Sequence, residues 1–316
     1  MLRPFETSDV THVVSIWNVA CGADLAITSR FVEYNTRPTA GAIQAGRVAM
    51  KDDQPVGFVL ASALPASPGV SSPQVGWIDA MAVLPEFQHR GIGGDFLAWA
   101  EEWLNQQGCT RARLGGSLRP FTPGLPVELH TESFFDKRGY KGREWRSLEW
   151  DVARDLETYT PQSYRVDAKL QPAQPSDGDA MLTFLRREFP GRWRFEFEEF
   201  LRENGRISDY VLLWSERGVD GFARLTFEDS ERPIERFYLH RYPHPWGQLG
   251  PIGVSADTRG KGYGGALLNA GLRYLQERGV RGCVIDWTGL VDFYGKFGFK
   301  PYRQYAMLIK QLTNDE

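Results

Sequence analysis

Arg259-Gly260-Lys261-Gly262-Tyr263-Gly264-Gly265 is the stretch that decides the fold. In front of it, Gln248-Leu249-Gly250-Pro251-Ile252-Gly253-Val254 reads as a strand, with Pro251 and the glycines predicting an edge, a bulge or a splayed end. Behind it, Leu267, Leu268, Leu272 and Leu275 share one helical face, and Gly279 suits the C′ position. A strand, a glycine-rich turn and a helix start leave backbone N–H groups at the positive end of a helix dipole, which makes a cradle for an anion. Gly260, Gly262, Gly264 and Gly265 let a diphosphate approach the backbone, and Arg259 and Lys261 add charge at the rim. For a lone glycine motif, a tight turn without ligand is the competing reading.

The stretch has a second copy. Val83-Leu84-Pro85-Glu86-Phe87-Gln88-His89-Arg90-Gly91-Ile92-Gly93-Gly94 aligns with Val254 to Gly265 at an offset of 171 residues, Val83 to Val254. Gly91 to Gly108 and Gly262 to Gly279 are each 17 residues apart. Leu2-Arg3-Pro4-Phe5-Glu6-Thr7-Ser8-Asp9 returns loosely from Leu170 to Asp177, an offset of 168. Phe134-Phe135-Asp136-Lys137-Arg138-Gly139-Tyr140 matches Phe293-Tyr294-Gly295-Lys296-Phe297-Gly298-Phe299. Ordered matches at similar offsets indicate two copies of one domain, residues 1–155 and 164–316, joined around Asp155 to Ser163.

Both copies follow one plan. In the second, Tyr210 to Trp214 and Gly221 to Phe227 read as strands, Val280 to Trp287 as another, Leu290 to Lys296 as a short helix, and Tyr305 to Ile309 as a closing strand. In the first, Val56 to Ala63 and Val75 to Val83 are strands, and Phe96, Leu97, Ala100, Trp103 and Leu104 mark the helix. Gly115 to Pro126, rich in Pro and Gly, has no counterpart of equal length and reads as a lid or substrate wall. The fold class is α/β (α+β), each domain a mixed sheet flanked by helices.

Composition agrees. A chain of 316 residues exceeds one hydrophobic core, and 42% apolar with 13% aromatic residues supports packed domains. With 37 basic and 40 acidic side chains the net charge is −3, which gives no global field for nucleic acid or membrane. Cys21, Cys109 and Cys283 are widely spaced, arguing against a disulfide framework or a zinc site. The opening residues lack a signal peptide's pattern, and no apolar run is long enough to span a bilayer. A soluble cytoplasmic protein, monomer or homodimer, is expected.

Nucleotide motifs narrow the ligand. A P-loop needs Ser or Thr after Gly-Lys, whereas Gly262 follows Lys261. The dinucleotide motif needs a third glycine where Leu267 and Phe96 stand. At this point the chain resembles the GNAT superfamily of N-acetyltransferases, whose signature is Gln or Arg, two residues, Gly, one residue, then Gly or Ala. Arg259-x-x-Gly262-x-Gly264 and Gln88-x-x-Gly91-x-Gly93 satisfy it, and Phe293 to Phe299 matches a second hallmark. The tandem layout and length are similar to those of mycothiol synthases, although no residue marks that substrate.

The resemblance implies acetyl-CoA as co-substrate. Its pyrophosphate would lie on Arg259, Gly260, Lys261, Gly262, Tyr263, Gly264 and Gly265, and its pantetheine arm on the backbone of Ile252, Gly253 and Val254. The first copy offers Ala82, Val83, Gln88, His89, Arg90, Gly91, Ile92, Gly93 and Gly94. It also implies direct attack by a small-molecule primary amine, with Tyr294 protonating the departing thiolate. Phe135 stands at the aligned position and has no proton to give, so the C-terminal copy is expected to be catalytic and the N-terminal one degenerate.

The general base is open. Asp286, near a strand end, either faces the cleft or pairs with an arginine. His244 has a suitable ordinary pKa but reads first as a solvated loop residue, and Glu228 and Glu235 are candidate water holders. Trp193, Phe195, Phe197 and Phe200 line an acceptor site or are core. Competing functions are aminoacyl transfer, against which the charge argues, and a non-catalytic acyl-CoA sensor or scaffold.

Overall fold

A computed structural model of the chain describes residues 1–67, 69–142, 148–234 and 244–312. The first half runs β1 (Leu2–Pro4), α1 (Val10–Cys21), α2 (Ser29–Thr36), β2 (Ile43–Lys51), β3 (Gln54–Ala63), β4 (Val75–Val83), α3 (Ile92–Gln106), β5 (Arg111–Leu114), β6 (Leu125–Pro126), α4 (Glu132–Asp136), β7 (Lys141–Gly142) and β8 (Leu148–Asp155). The second half runs β9 (Lys169–Pro172), α5 (Gly178–Glu188), α6 (Arg192–Arg202), β10 (Tyr210–Ser215), β11 (Gly218–Phe227), β12 (Trp246–Val254), α7 (Tyr263–Glu277), β13 (Gly282–Thr288), α8 (Val291–Gly295), β14 (Lys300–Ala306) and β15 (Leu308–Gln311).

Two compact units result. One holds Met1–Trp150 and the C-terminal stretch from Arg303; the other holds Asp151–Ile234 and the stretch that ends at Tyr302. The first sheet has the order β1-β2-β3-β4-β5-β15-β7, and the second runs β9-β10-β11-β12-β13-β8-β14-β6. The first sheet therefore takes β15 from the second half of the sequence, and the second takes β6 and β8 from the first half. The closing strand expected from Tyr305 to Ile309 is two strands: β14 ends at Ala306, and β15 starts at Leu308 and pairs with β5.

Among the described residues of the first unit, only β4 and β5 pair parallel, joined by α3. Phe96, Leu97, Ala100 and Leu104 of α3 are buried against Val59, Ala61 and Ile78. The segment Gly115 to Pro126 is mostly buried rather than a lid, because Phe121 packs edge-on to Trp17 and Phe31 at ring distances of 5.7 and 5.2 Å.

In the second unit, Leu267, Leu268, Leu272 and Leu275 of α7 are fully buried, as their spacing predicts. Phe197 and Phe200 pack on Tyr210, each at 5.1 Å, within the core of α5, α6 and the sheet. Trp193 joins Phe189 and Phe222 there, so the aromatic run is chiefly core.

Candidate active site

In the second unit, β12 meets β13 only at Trp246, Gly247 and Gln248. Beyond the parting, Ile252, Gly253 and Val254 pair with β11 on one edge, and among the described residues no strand pairs with the other. That open edge can hydrogen-bond an amide-bearing arm. The register with β11 shifts between Ala223 and Leu225, where β12 bends at Gly250-Pro251.

At the end of this strand, Gly262 caps α7 with φ 87°, a left-handed conformation that favours glycine. No side chain caps the helix, and its first helical bond runs from the Ala266 N–H to the Gly262 carbonyl at 3.0 Å. The amides of Tyr263, Gly264 and Gly265 thus lack helical acceptors and face outward from the first turn. Arg259 and Lys261 are exposed beside them. Tyr164 packs on Gly265 and stacks on Phe297 at 6.3 Å.

Tyr294 lies on α8 and is 4% exposed. Burial, opposed by a hydrogen bond with Thr288 and aided by the Asp286 charge, pushes its phenol up to about 12. Asp286 stands at the parting: its Oδ1 is 3.9 Å from where a Cβ on Gly250 would be. It also lies 3.8 Å from an Arg232 nitrogen, the arginine contact that one of its sequence readings expected. His244 is exposed, with Nδ1 2.6 Å from Glu228, and the same carboxylate accepts the Trp246 N–H at 2.9 Å. Both stand at the start of β12, several residues before the parting. Glu235 lies outside the described residues.

The first unit repeats the geometry. β4 pairs with β5 only from Val75 to Ile78, so Asp79 to Val83, including Ala82, have that edge open. Gly91 caps α3 at φ 91°, and the first helical bond comes from Asp95, leaving the amides of Ile92, Gly93 and Gly94 without helical acceptors. Gln88 donates its Nε2 to the Val83 carbonyl at 2.9 Å, while His89 and Arg90 are exposed. Phe135 is buried where the other unit has Tyr294.

Two residues of this unit were not singled out by the sequence. Arg138 places Nη2 3.6 Å from a Cβ built on Gly94, with its guanidinium 3.8 Å over Phe134. The repeat offers the signal, because the aligned residue is Phe297. Asp79 is 2% exposed and accepts hydrogen bonds from Ser62 Oγ at 2.9 Å and Gln44 Nε2 at 3.1 Å, with Ser117 a third partner. Burial raises its carboxyl to about 6 against those bonds. Asp79 aligns with Gly250 at the offset of 171 residues. Each unit thus sets a carboxylate at its parting, from β4 in one and from β13 in the other.

Two splayed sheets, each with a glycine-capped helix at the open edge, define a tandem acyl-CoA N-acyltransferase architecture. The model of the acetyltransferase (GNAT) family matches residues 17–118 and again 178–299, and the chain belongs to that family. It is 24% identical over 267 residues to a mycothiol acetyltransferase of Corynebacterium aurimucosum, covering 81% of this chain and 72% of that one. A mycothiol acetyltransferase of Actinosynnema mirum is 28% identical over 138 residues, covering 42% of this chain and 44% of the other.

Among solved structures, a glucosamine N-acetyltransferase region of a fungal multi-domain β-N-acetylglucosaminidase superposes with a TM-score of 0.87 at 23% identity. That match covers 98% of this chain but 38% of the other. A tandem GNAT protein from the clavulanic acid biosynthesis pathway gives a TM-score of 0.70 at 15% identity, covering 100% and 99%. The two-domain α/β fold read from the repeat is the fold observed, and acyl transfer is the family's chemistry. No helix among the described residues is long and apolar enough to cross a membrane.

Proposed function

We propose that the second unit transfers an acetyl group from acetyl-CoA to the primary amine of a small metabolite. The observation that carries this reading is the placement of the buried Tyr294 phenol and the Asp286 carboxylate around one strand parting. The amides of Tyr263, Gly264 and Gly265 would hold the pyrophosphate, with Arg259 and Lys261 at its rim. The open edge of Ile252, Gly253 and Val254 would hold the pantetheine arm.

Tyr294 then donates to the departing sulfur. A phenol raised to about 12 is protonated throughout the neutral range, so the donor is always loaded. The desolvation that raises the phenol also raises a thiol, as at buried Cys283, which keeps the proton transfer within reach. Asp286 accepts a proton from the incoming ammonium, directly or through water, and Arg232 restrains its carboxylate. Among acceptors, an amino sugar comes first, since one structural relative is described as a glucosamine N-acetyltransferase.

CoA release by Tyr294→Phe with neutral amino sugars as acceptors tests the assignment. The phenyl ring fills the same space, so the fold should persist while kcat falls about 100-fold or more, with KM for acetyl-CoA little changed. Unchanged turnover would remove Tyr294 from the mechanism.

A further inference from the structure

Asp79 accepts hydrogen bonds from Gln44 and Ser62, cross-strand neighbours in register with Trp77. It therefore lies on the Trp77 face of the sheet, opposite the face where Ile78 packs with α3, although the β3–β4 register shifts beside it. On the Asp79 side lies a pocket of about 480 Å³, large enough for a sugar-sized ligand. Its walls include Arg37, Gln44, Ser62, Trp77, Ser117 and Arg119. Gln44, Ser62 and Ser117 are the hydrogen-bond partners of Asp79, so the carboxyl lies just behind the pocket wall and is reached through two hydroxyls.

Two features of this pocket lack a protein counterpart. Among the described residues, no partner of Asp79 carries a positive charge, and a buried carboxylate held only by neutral donors is costly unless a cation or proton arrives. The indole N–H of Trp77, 4% exposed, has no hydrogen-bond partner among them either. The charged side chains on the wall are Glu6, Arg37 and Arg119. Both guanidiniums sit by the Tyr34 ring, at 4.2 and 5.0 Å from its centre, which gathers positive charge at that side. The pocket thus pairs a carboxylate that needs a cation with a wall that favours an anion.

We infer that the first unit is a second acyl-transfer centre, whose pocket takes a small primary amine carrying an anionic group and whose Ser62 and Ser117 hydroxyls relay the amine's proton to Asp79. This rests on the acetyl-CoA reading of the glycine loops, here Gln88 to Gly94. The amine enters as an ammonium and gives one proton through a serine hydroxyl to the Asp79 carboxylate. Its lone pair then forms the C–N bond to the thioester carbonyl carbon. As the C–S bond breaks, a second nitrogen proton passes to the leaving sulfur, giving the amide and free CoA, and Asp79 returns its proton to solvent. No phenol is needed, which accords with Phe135 at the aligned position.

The test measures CoA release in the Tyr294→Phe variant, with neutral amino sugars and with amines bearing a carboxylate or phosphate. Turnover of the anionic amines should persist, with kcat falling as pH drops through about 6. Adding Asp79→Asn should lower that kcat at least about 100-fold, change KM far less, and abolish the acidic limb. Should Asp79→Asn fail to fold, Ser62→Ala with Ser117→Ala cuts the same relay and should give the same loss. The inference is overturned if Tyr294→Phe abolishes turnover of every amine the wild type uses, or if the residual turnover ignores Asp79 and both serines. If the wild type acetylates nothing, the acetyltransferase reading itself fails. Calorimetry with the amines alone then decides, and no binding sensitive to Asp79→Asn overturns the pocket as well.

Discussion

Tyr164 packs against the first turn of α7 so closely that a Cβ built on Gly265 would stand 2.8 Å from its Cε1. One residue earlier, a Cβ on Gly264 meets nothing nearer than Phe293 at 4.0 Å. The two glycines therefore answer differently to a methyl group. Gly264→Ala should leave stability unchanged or raise it by up to about 1 kcal/mol, since alanine is the better helix former. It should still weaken acetyl-CoA binding, because the methyl occupies the anion cradle. Gly265→Ala should cost about 1–3 kcal/mol from overpacking unless Tyr164 swings away. Thermal melts with and without acetyl-CoA separate the two, and equal behaviour of both variants would sink the argument.

The raised phenol of Tyr294 carries a stability signature. Its folded pKa of about 12 lies above the ordinary value of 10.0, so the neutral form is favoured by folding. That contribution is complete below pH 10 and is lost as pH climbs toward 12. Its full loss would cost about 2–3 kcal/mol. Tyr159, raised to about 12 by burial, acts in the same window. Urea unfolding between pH 9 and 12 should show a shallower decline for Tyr294→Phe than for the wild type. Parallel curves would contradict the burial argument.

Much of the layout was legible because turns and helix faces are local. The glycine turns and the buried leucines of α7 follow from spacing within about 20 residues, the range in which periodicity and caps act, whereas Tyr294 stood out through the repeat and the family resemblance. The strand exchange was not legible. Leu308 to Gln311 carries no mark that its partner is Arg111 to Arg113, because pairing across such separations is decided by packing. Asp79 was missed although a signal existed: a carboxylate inside the apolar run Val75-Gly76-Trp77-Ile78-Asp79-Ala80-Met81 needs buried partners. Those partners come from β2, β3 and the loop after β5, beyond the reach of local pattern.

The strand exchange makes the first unit depend on the end of the chain. Ile309, Lys310 and Gln311 pair with Arg113, Ala112 and Arg111, and Lys310 reaches Glu101 of α3 at 2.7 Å. Ending the chain before Leu308 exposes the edge of β5 and leaves Glu101, with 18% of its side chain accessible, without that cation. The truncated protein should lose several kcal/mol in the unfolding of the first unit, followed through Trp17 and Trp77 fluorescence. A peptide spanning residues 300–316 should restore part of it. A truncated chain as stable as the whole would show that β15 contributes nothing.

Arg138 bears on whether the first glycine loop holds acyl-CoA. In a cradle made of the amides of Ile92, Gly93 and Gly94, its guanidinium beside Gly94 is a second source of positive charge. The exposed Asp95 in the same turn works against it. Calorimetric titration of the wild type with acetyl-CoA should therefore resolve two sites of unequal affinity. Arg138→Ala should weaken one of them about tenfold, the worth of a charge-assisted hydrogen bond, and leave the other in place. Salt should weaken the Arg138-dependent site more, since a half-exposed guanidinium is screened. A single site that ignores Arg138 would mean that the loop from Gln88 to Gly94 is a turn without ligand, and that acyl-CoA binds only at the loop from Arg259 to Gly265.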